Sequence, residues 1–586
     1  MKKLVSRCMA VLMAMTMILS MSMAAFAAEA PKGTLTVNNT VARKTLDLYQ
    51  IFTATKSGDN VAYTLNSAYK GFFQSKITDA SALTGEALSE KAYDYVKTQV
   101  GTDGNNGAAF AKDMLGWILD SKNNITATKT VETTATSTQI SDLAYGYYLV
   151  YPKGATDTSK APGKQTYTSA ASLVNITAAT ATINMKSNYP TVDKKLVSTQ
   201  TPGNNSITVN GILNPSWESI HQGVLDDENA PEDTIAPRGA ADEKKAGDFA
   251  IGDTVTYQLT SKVPDMTRYN SYTFKFTDTL STGLDLKAIL SVKVGDTELK
   301  AGKTGDNTYL PTYTKNSDGK HTLTLTFNDF YKLYKEHTGE TITVVYTATL
   351  NKDAVIGMNP NTNKAVVEYS NDPKSDGTGK SEPSIVDVHT FDFTIYKYYK
   401  TTTGETETKN PLAGAEFELY KANGAGDAAD TNAKINIVNV GNGVYRQATP
   451  EEGKATSFTS AKIVSDNDGK VLVKGLVAGT YYLRETKAPE GYNKLLSDIK
   501  VEIKANYDKT TGKLTNYTVT YTYNGNPITV THTDKLTSPE VPVENKTGAQ
   551  LPSTGARTAL LLTLAGVVLF AFMAASSIYS KRREAR

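Results

Sequence analysis

The 586-residue chain has a single cysteine, Cys8, and that cysteine sits in what reads as an export signal. Lys2, Lys3 and Arg7 form a positive n-region, residues 9–23 an apolar h-region, and Ala25, Phe26 and Ala27 a cleavage site for signal peptidase. Residues 1–27 are therefore expected to be removed, leaving a mature chain that begins near Ala28. A lipobox reading of Cys8 fails because the h-region follows the cysteine. The exported chain then carries no thiol, so disulfides cannot hold it together. Its 33 tyrosines, many threonines and recurrent apolar–polar alternation between turn clusters favour sheet over helix. A net charge of +2 with no sustained basic stripe argues against nucleic acid as a partner. At about 100–200 residues per domain, three or four domains are expected.

At the other end, Leu551, Pro552, Ser553, Thr554 and Gly555 precede an apolar run at 559–578 and then Lys581, Arg582 and Arg583. As a helix the run would rise about 30 Å, enough to span a bilayer core, and the basic tail would hold it in place. The pentapeptide would then stand just outside the membrane. It resembles the LPxTG substrate of sortases, the transpeptidases of Gram-positive bacteria, which cleave after the Thr and pass its carbonyl to an amine. The resemblance implies that Thr554 becomes the attachment point to peptidoglycan or to another protein, that membrane anchoring is transient, and that 555–586 is discarded.

Between these ends the first domain is expected at 28–188, opening with strand-like TLTV at 34–37 and LDLYQI at 46–51. Its middle is the most helical part of the chain. Ala87, Leu88, Ala92, Tyr95 and Val96, then Phe110, Met114, Leu115, Ile118 and Leu119, recur at helical spacing and predict two amphipathic helices. GYYLV at 146–150 and SLVNI at 172–176 return to strand. A second domain is expected at 189–385, with a polar, acid-rich insertion at 226–245 read as a surface loop. A third is expected at 389–547, followed by the sorting signal at 551–586.

Six polar residues fall on apolar faces of predicted strands, where an isolated ionisable group would cost several kcal/mol. Lys194 shares a face with Val192 and Leu196, and Lys397 follows Phe391, Phe393 and Ile395. Asp278 follows Phe274 and Phe276, Glu485 follows Tyr481 and Leu483, Asn363 leads Ala365 and Val367, and Asn545 follows Val541 and Val543. The second and third domains each thus offer one inward Lys, one acid and one Asn. Burial favours a neutral lysine and a protonated acid, so the pair can trade a proton. A neutral lysine can attack the Asn carboxamide while the acid polarises its carbonyl and shuttles protons, releasing ammonia and leaving an intramolecular isopeptide bond. This happens once per chain, so it is self-modification and the chain is not read as an enzyme. Closing loops as long as 194–363 or 397–545 would stabilise by about 5 kcal/mol in the chain-entropy model.

YLRETKAPEGY at 482–492 resembles the E-box of Gram-positive backbone pilins, and LAGAEFELY at 412–420 the companion motif of the collagen-binding-protein B-type fold. FTDTLSTGL at 276–284 and NKAVVEYS at 363–370 are similar to the middle domain of those pilins. The resemblance covers essentially the whole chain. It implies a mainly β fold of tandem immunoglobulin-like, CNA-type sandwiches with a few helices in the first domain. It pairs Lys194 with Asn363 beside Asp278, and Lys397 with Asn545 beside Glu485. In the first domain no internal bond is expected, since Asn38 stands where the opening strand would carry the lysine.

The resemblance also implies a covalent pilus shaft, which needs an exposed acceptor lysine near the end of the first domain. In TINMK at 182–186, Ile183 and Met185 face inward and Lys186 outward, although the wording departs from the family's usual Tyr-Pro-Lys-Asn. A literal Tyr151-Pro152-Lys153 occurs earlier, so Lys153 remains the alternative. The implied partners are pilus-specific and housekeeping sortases, identical subunits joined head to tail, accessory pilins, peptidoglycan and an unidentified host surface ligand. A wall-anchored monomeric matrix-binding adhesin, or an accessory or tip subunit, is the second reading. No cofactor is implied. The five histidines have no ligand spacing, and Asp466-Asn467-Asp468-Gly469 lacks the distal acid of a calcium loop, so no metal site is expected.

Overall fold

The computed structural model describes residues 31–101, 107–134, 136–155, 170–185, 188–198, 200–213, 221–222, 245–532 and 540–547, together with Met573. The expected signal peptide, residues 226–244 of the insertion, Lys186, the pentapeptide Leu551 to Gly555 and the apolar run that follows it lie outside these residues, Met573 apart. Among the described residues no helix is long and apolar enough to cross a membrane. The chain is mainly β, built as sandwiches in tandem.

In the first unit a three-stranded sheet holds Lys32–Asn38 between Ser137–Ala144 and Thr180–Asn184. It faces a sheet centred on Thr45–Ser57 and Gly146–Pro152. Thr45–Ser57 is apolar on both faces because two cores need it. Leu46 and Leu48 point into the space between the sheets, while Tyr49 and Ile51 point the other way, under the helices. The predicted helices form as Gly85–Val100 and Gly107–Leu119. Leu88, Ala92 and Val96 are buried as expected, whereas Ala87 is exposed. A further short helix, Lys70–Lys76, buries Phe72 and Phe73.

The second unit stacks two larger sheets. One carries Asp193–Leu196 at its edge, followed inward by Thr254–Lys262 and Thr341–Leu350; the other places Phe274–Leu280 beside Asn361–Ser370. Asn361–Ser370 is not the closing strand, because Ser384–His389 follows it and pairs with it. In the third unit Phe391–Thr403 pairs with Lys470–Leu476 and, in parallel, with Glu540–Glu544, the last strand. The facing sheet carries Glu416–Ala422 and Gly479–Lys487 as neighbours.

The units are joined by more than the chain. Between the first two, Lys44 Nζ donates to Tyr369 Oη at 3.1 Å and to the Lys380 carbonyl, Lys374 Nζ reaches the Ile125 carbonyl at 2.8 Å, and Arg268 reaches the Lys112 carbonyl at 2.7 Å. Between the second and third, the fully buried Asp248 accepts from the Ala478 amide at 2.8 Å and the Tyr507 hydroxyl at 3.2 Å, and the Ile251 amide donates to the Gly475 carbonyl. Asp248→Ala strips the Ala478 amide of that acceptor inside a dry joint, at a cost of about 1–3 kcal/mol. The expected outcome is a lower thermal midpoint and a broader range of inter-unit angles in small-angle X-ray scattering.

Candidate functional site

All six inward polar residues are at most 2% exposed, and they gather into two clusters. In the second unit Lys194 hangs from an edge strand and reaches across the sandwich. Its Nζ lies 2.6 and 2.7 Å from the two carboxylate oxygens of Asp278 on the facing sheet, and donates to Tyr346 Oη at 2.6 Å. Asn363, on the strand beside that of Asp278, donates from Nδ2 to the same Tyr346 oxygen at 2.8 Å. Tyr346 in turn donates to Asp278 Oδ2. Tyr346 stacks on Tyr257 with ring centroids 5.2 Å apart, and the ammonium of Lys194 sits 4.7 Å over the Tyr257 ring. The aromatic walls exclude water and leave the lysine little else to bind.

In the third unit the geometry is different. Lys397 and Asn545 belong to neighbouring parallel strands or their ends within one sheet, and the Asn545 amide donates to the Tyr398 carbonyl at 2.9 Å. Glu485 comes from the facing sheet, with Oε1 3.1 Å from Lys397 Nζ. That contact is an ion pair without the direction of a hydrogen bond. Glu485 Oε2 accepts from the Leu495 amide at 2.7 Å and from Asn545 Nδ2 at 3.3 Å, and Asn545 Nδ2 also donates to the Asn493 carbonyl at 2.8 Å. The turn at Asp466 to Gly469 brings the backbone in close: the Lys397 amide donates to the Gly469 carbonyl at 2.6 Å, and a Cβ on Gly469, at φ +72°, would collide with the Lys397 carbonyl. Asp466 Oδ1 caps that turn, accepting from the Asp468 and Lys470 amides, which gives the segment a structural role.

Burial pushes each lysine down to about 8 from its ordinary 10.5, against the pull of Asp278 on Lys194 and of Glu485 on Lys397. A useful fraction of neutral amine thus exists near neutral pH. The carboxamide oxygens of Asn363 and Asn545 are buried and, among the described residues, accept no hydrogen bond. An acid polarising that carbonyl was expected from sequence. Instead the acids face the lysine and, in the third unit, the amide nitrogen. Tyr346 was missed altogether. Its signal was available: Ile342, Val344, Tyr346 and Ala348 share the inward face of one strand, and a phenol there needs a hydrogen-bond partner.

Of the two acceptor candidates, Lys186 lies outside the described residues, just after the buried Met185. Lys153 is clasped by Asp372 of the second unit at 2.8 Å and by Asp47 at 3.7 Å. Partial burial opposes its charge, but the hydrogen bonds and charges of those carboxylates win and hold its pKa above the ordinary value. Asn38, on the opening strand, exchanges hydrogen bonds with Asn184 and Ser137 at the surface. Sequence reasoning also passed over Lys44, which is buried at the joint between aromatic rings of Tyr189 and Tyr369.

The depressed lysines make a pH signature. In an Asn363→Ala, Asn545→Ala double variant both lysines stay amines, and between about pH 8 and about pH 10.5 each of them holds its proton more fully in the unfolded chain than in the folded one. Stability relative to the same variant with Lys194→Met and Lys397→Met, in which the buried tyrosines titrate alike, should therefore rise across that window, by on the order of a few kcal/mol, and urea unfolding of both chains at its two ends would measure it.

Three family models match in order along the chain: a Gram-positive pilin backbone subunit with a Cna-B-like domain at 251–373, a prealbumin-like fold domain at 397–518, and an LPXTG cell wall anchor motif at 543–585. The chain is 24% identical over 419 residues to the trypsin-resistant surface T6 protein of Streptococcus pyogenes serotype M6, covering 68% of each. It is 28% identical over 268 residues to fimbrial subunit type 2 of Actinomyces naeslundii, covering 43% of this chain and 47% of that relative, about half its length. A solved structure of the T6 backbone pilin aligns over 89% of this chain and 100% of its own at 15% identity, with a TM-score of 0.41, too low for the superposition to carry weight. With a pilin backbone domain, a prealbumin-like domain and a wall-anchor motif following one another on tandem β-sandwiches, the matches support a wall-anchored backbone pilin of Gram-positive bacteria.

Proposed function

We propose that this structural subunit is the shaft of a covalent pilus, with domains at 28–188, 189–385 and 389–547, polymerised by sortase and hardened by two internal isopeptide bonds. The observation that carries the internal bonds is the pair of dry lysine–acid–asparagine clusters, each with a lysine amine whose charge burial disfavours. In each, neutral Nζ attacks the Asn Cγ, a C–N bond forms, the bond from Cγ to Nδ2 breaks, and ammonia leaves with a proton originating on the lysine. Asp278 and Glu485 take up the proton shed by the attacking amine.

For polymerisation, a sortase-held Thr554 acyl group of one subunit passes to a lysine of the next, a heterologous contact that does not close and so grows a fibre. We assign the acceptor to Lys186. The clasp on Lys153 favours this choice, since an amine held charged by two carboxylates is a poor nucleophile. Partners then follow as a pilus-specific sortase, a housekeeping sortase that transfers the finished fibre to peptidoglycan, accessory pilins at its ends, and a host ligand met along its length.

Two measurements test this. Intact mass of the recombinant mature chain should fall short of the sequence mass by one ammonia per bond, and Lys194→Ala and Lys397→Ala should each restore one. An unshifted wild-type mass would sink the internal bonds. For the polymer, wall extracts boiled in SDS and probed with anti-subunit serum should show a ladder that Lys186→Ala abolishes and Lys153→Ala leaves intact. Loss in Lys153→Ala alone would move the acceptor, and a single monomer band in wild type would make the protein a monomeric wall adhesin.

A further inference from the structure

The two clusters differ in how the acid meets the leaving nitrogen. In the third unit Glu485 does so directly, through its Oε2 at 3.3 Å from Asn545 Nδ2. In the second unit the acid is an aspartate, one methylene shorter, and among the described residues no hydrogen bond joins Asp278 to Asn363. The gap is spanned by one atom. Tyr346 Oη lies 2.6 Å from the attacking Nζ and 2.8 Å from Nδ2, and is hydrogen-bonded to Asp278 Oδ2. Resting on the isopeptide reading above, we propose that Tyr346 is a catalytic residue of the Lys194–Asn363 reaction, the general acid that protonates the departing nitrogen.

The need for such a group follows from amide chemistry. A planar carboxamide nitrogen is not basic, and its Nδ2 donates to Tyr346. Once Nζ has added to Cγ, the carbon is tetrahedral, the nitrogen lone pair is freed, and Nδ2 becomes an amine that can accept. It leaves as ammonia only if a proton reaches it. The attacking Nζ gives up one proton to Asp278 Oδ2, 2.7 Å away. Tyr346 turns its hydroxyl proton onto Nδ2 and regains one from Asp278 Oδ2 along their existing hydrogen bond. One C–N bond has formed and one has broken, the proton from Lys194 has left on ammonia, and both Tyr346 and Asp278 end as they began. Burial holds the Tyr346 phenol well above its ordinary pKa, so it enters the step protonated. Its ring is fixed by the stack on Tyr257, so the oxygen stays between the two nitrogens.

Tyr346→Phe keeps the ring and removes only the oxygen. Proton delivery by a positioned acid is worth about 100-fold or more in rate. Peptide mapping of the purified mature chain should find the Lys397–Asn545 cross-link complete and the Lys194–Asn363 cross-link slowed by about 100-fold. A second variant, Asp278→Glu with Tyr346→Phe, lengthens the acid so that it reaches Nδ2 as Glu485 does, and should recover the cross-link. A Tyr346→Phe chain that cross-links as fast as wild type overturns the assignment, as does a double variant that stays uncross-linked, which would leave the hydroxyl a packing role. If wild type itself lacks the Lys194–Asn363 bond while retaining Lys397–Asn545, the isopeptide reading of the second unit has failed, and this assignment with it.

Discussion

A lysine amine held dry between two sheets is the interaction on which the rest of the structure turns. Alone, such a charge would cost more than a sandwich of this size can spare, and it persists here only because a carboxylate faces it at 2.6 Å in one unit and 3.1 Å in the other. The surroundings are arranged around that pair. Tyr257 and Tyr346 wall in Lys194, Phe417 lies under Lys397, and Gly469 admits the backbone of the strand that carries Lys397. A buried ion pair is a poor source of stability, since apolar residues of equal volume often do as well. Its retention in two units makes better sense as a reagent than as a strut. In a chain whose one cysteine lies in the expected signal peptide, an amide offers a cross-link that needs no oxidant.

The two clusters solve the problem on different geometries. Lys194 and Asn363 stand on facing sheets, so their bond would stitch the sandwich through its core. Lys397 and Asn545 stand side by side in one sheet, at the first strand and just past the last, and these strands run parallel. Parallel terminal strands pulled from opposite ends are loaded in shear, and a bond between them takes the load off the ladder. With both amides made, tension entering at Lys194 would cross to Asn363, follow the chain to Lys397, and cross again to Asn545. The part of the second and third units left in the force path is then 363–397. That segment contains Ser384–His389 and runs past the joint where Asp248 binds Ala478 and Tyr507, where hydrogen bonds must hold what no covalent bond protects.

Much of this was legible from strand alternation alone. Period-two patterning places Lys194, Asp278, Asn363, Lys397, Glu485 and Asn545 inward, and only polar residues among strict apolar neighbours stand out so clearly. Residues 46–51 were also recognisable as a strand, but the two cores that its two faces serve were not. What alternation could not convey was distance between elements far apart in sequence. Tyr346 reads as one more core aromatic until its oxygen is seen between two nitrogens, and Lys44 and Lys153 read as surface lysines until the second unit closes over them. The bearing of each acid on its asparagine was equally hidden, because one methylene separates reaching Nδ2 from falling short of it.

Among the described residues the first unit has no such cluster, and the proposed attachment at Lys186 would account for that through the force path. If the next subunit is attached at Lys186, tension enters the chain after residues 28–185 and passes straight to Lys194 through the short link at 187–193. The two cores of the first unit then carry no load. If attachment were at Lys153, tension would run through Ser172–Ile176 and Thr180–Asn184, strands held by hydrogen bonds only, before reaching any cross-link. A shaft whose other units each present the groups for a covalent brace would then have its weakest element in series with them. Asn38 bonded at the surface where a bracing lysine would start, and Lys153 bound into a clasp with the neighbouring unit, both fit a first unit that is carried beside the line of tension and docks against it through Lys44, Lys153 and Lys374.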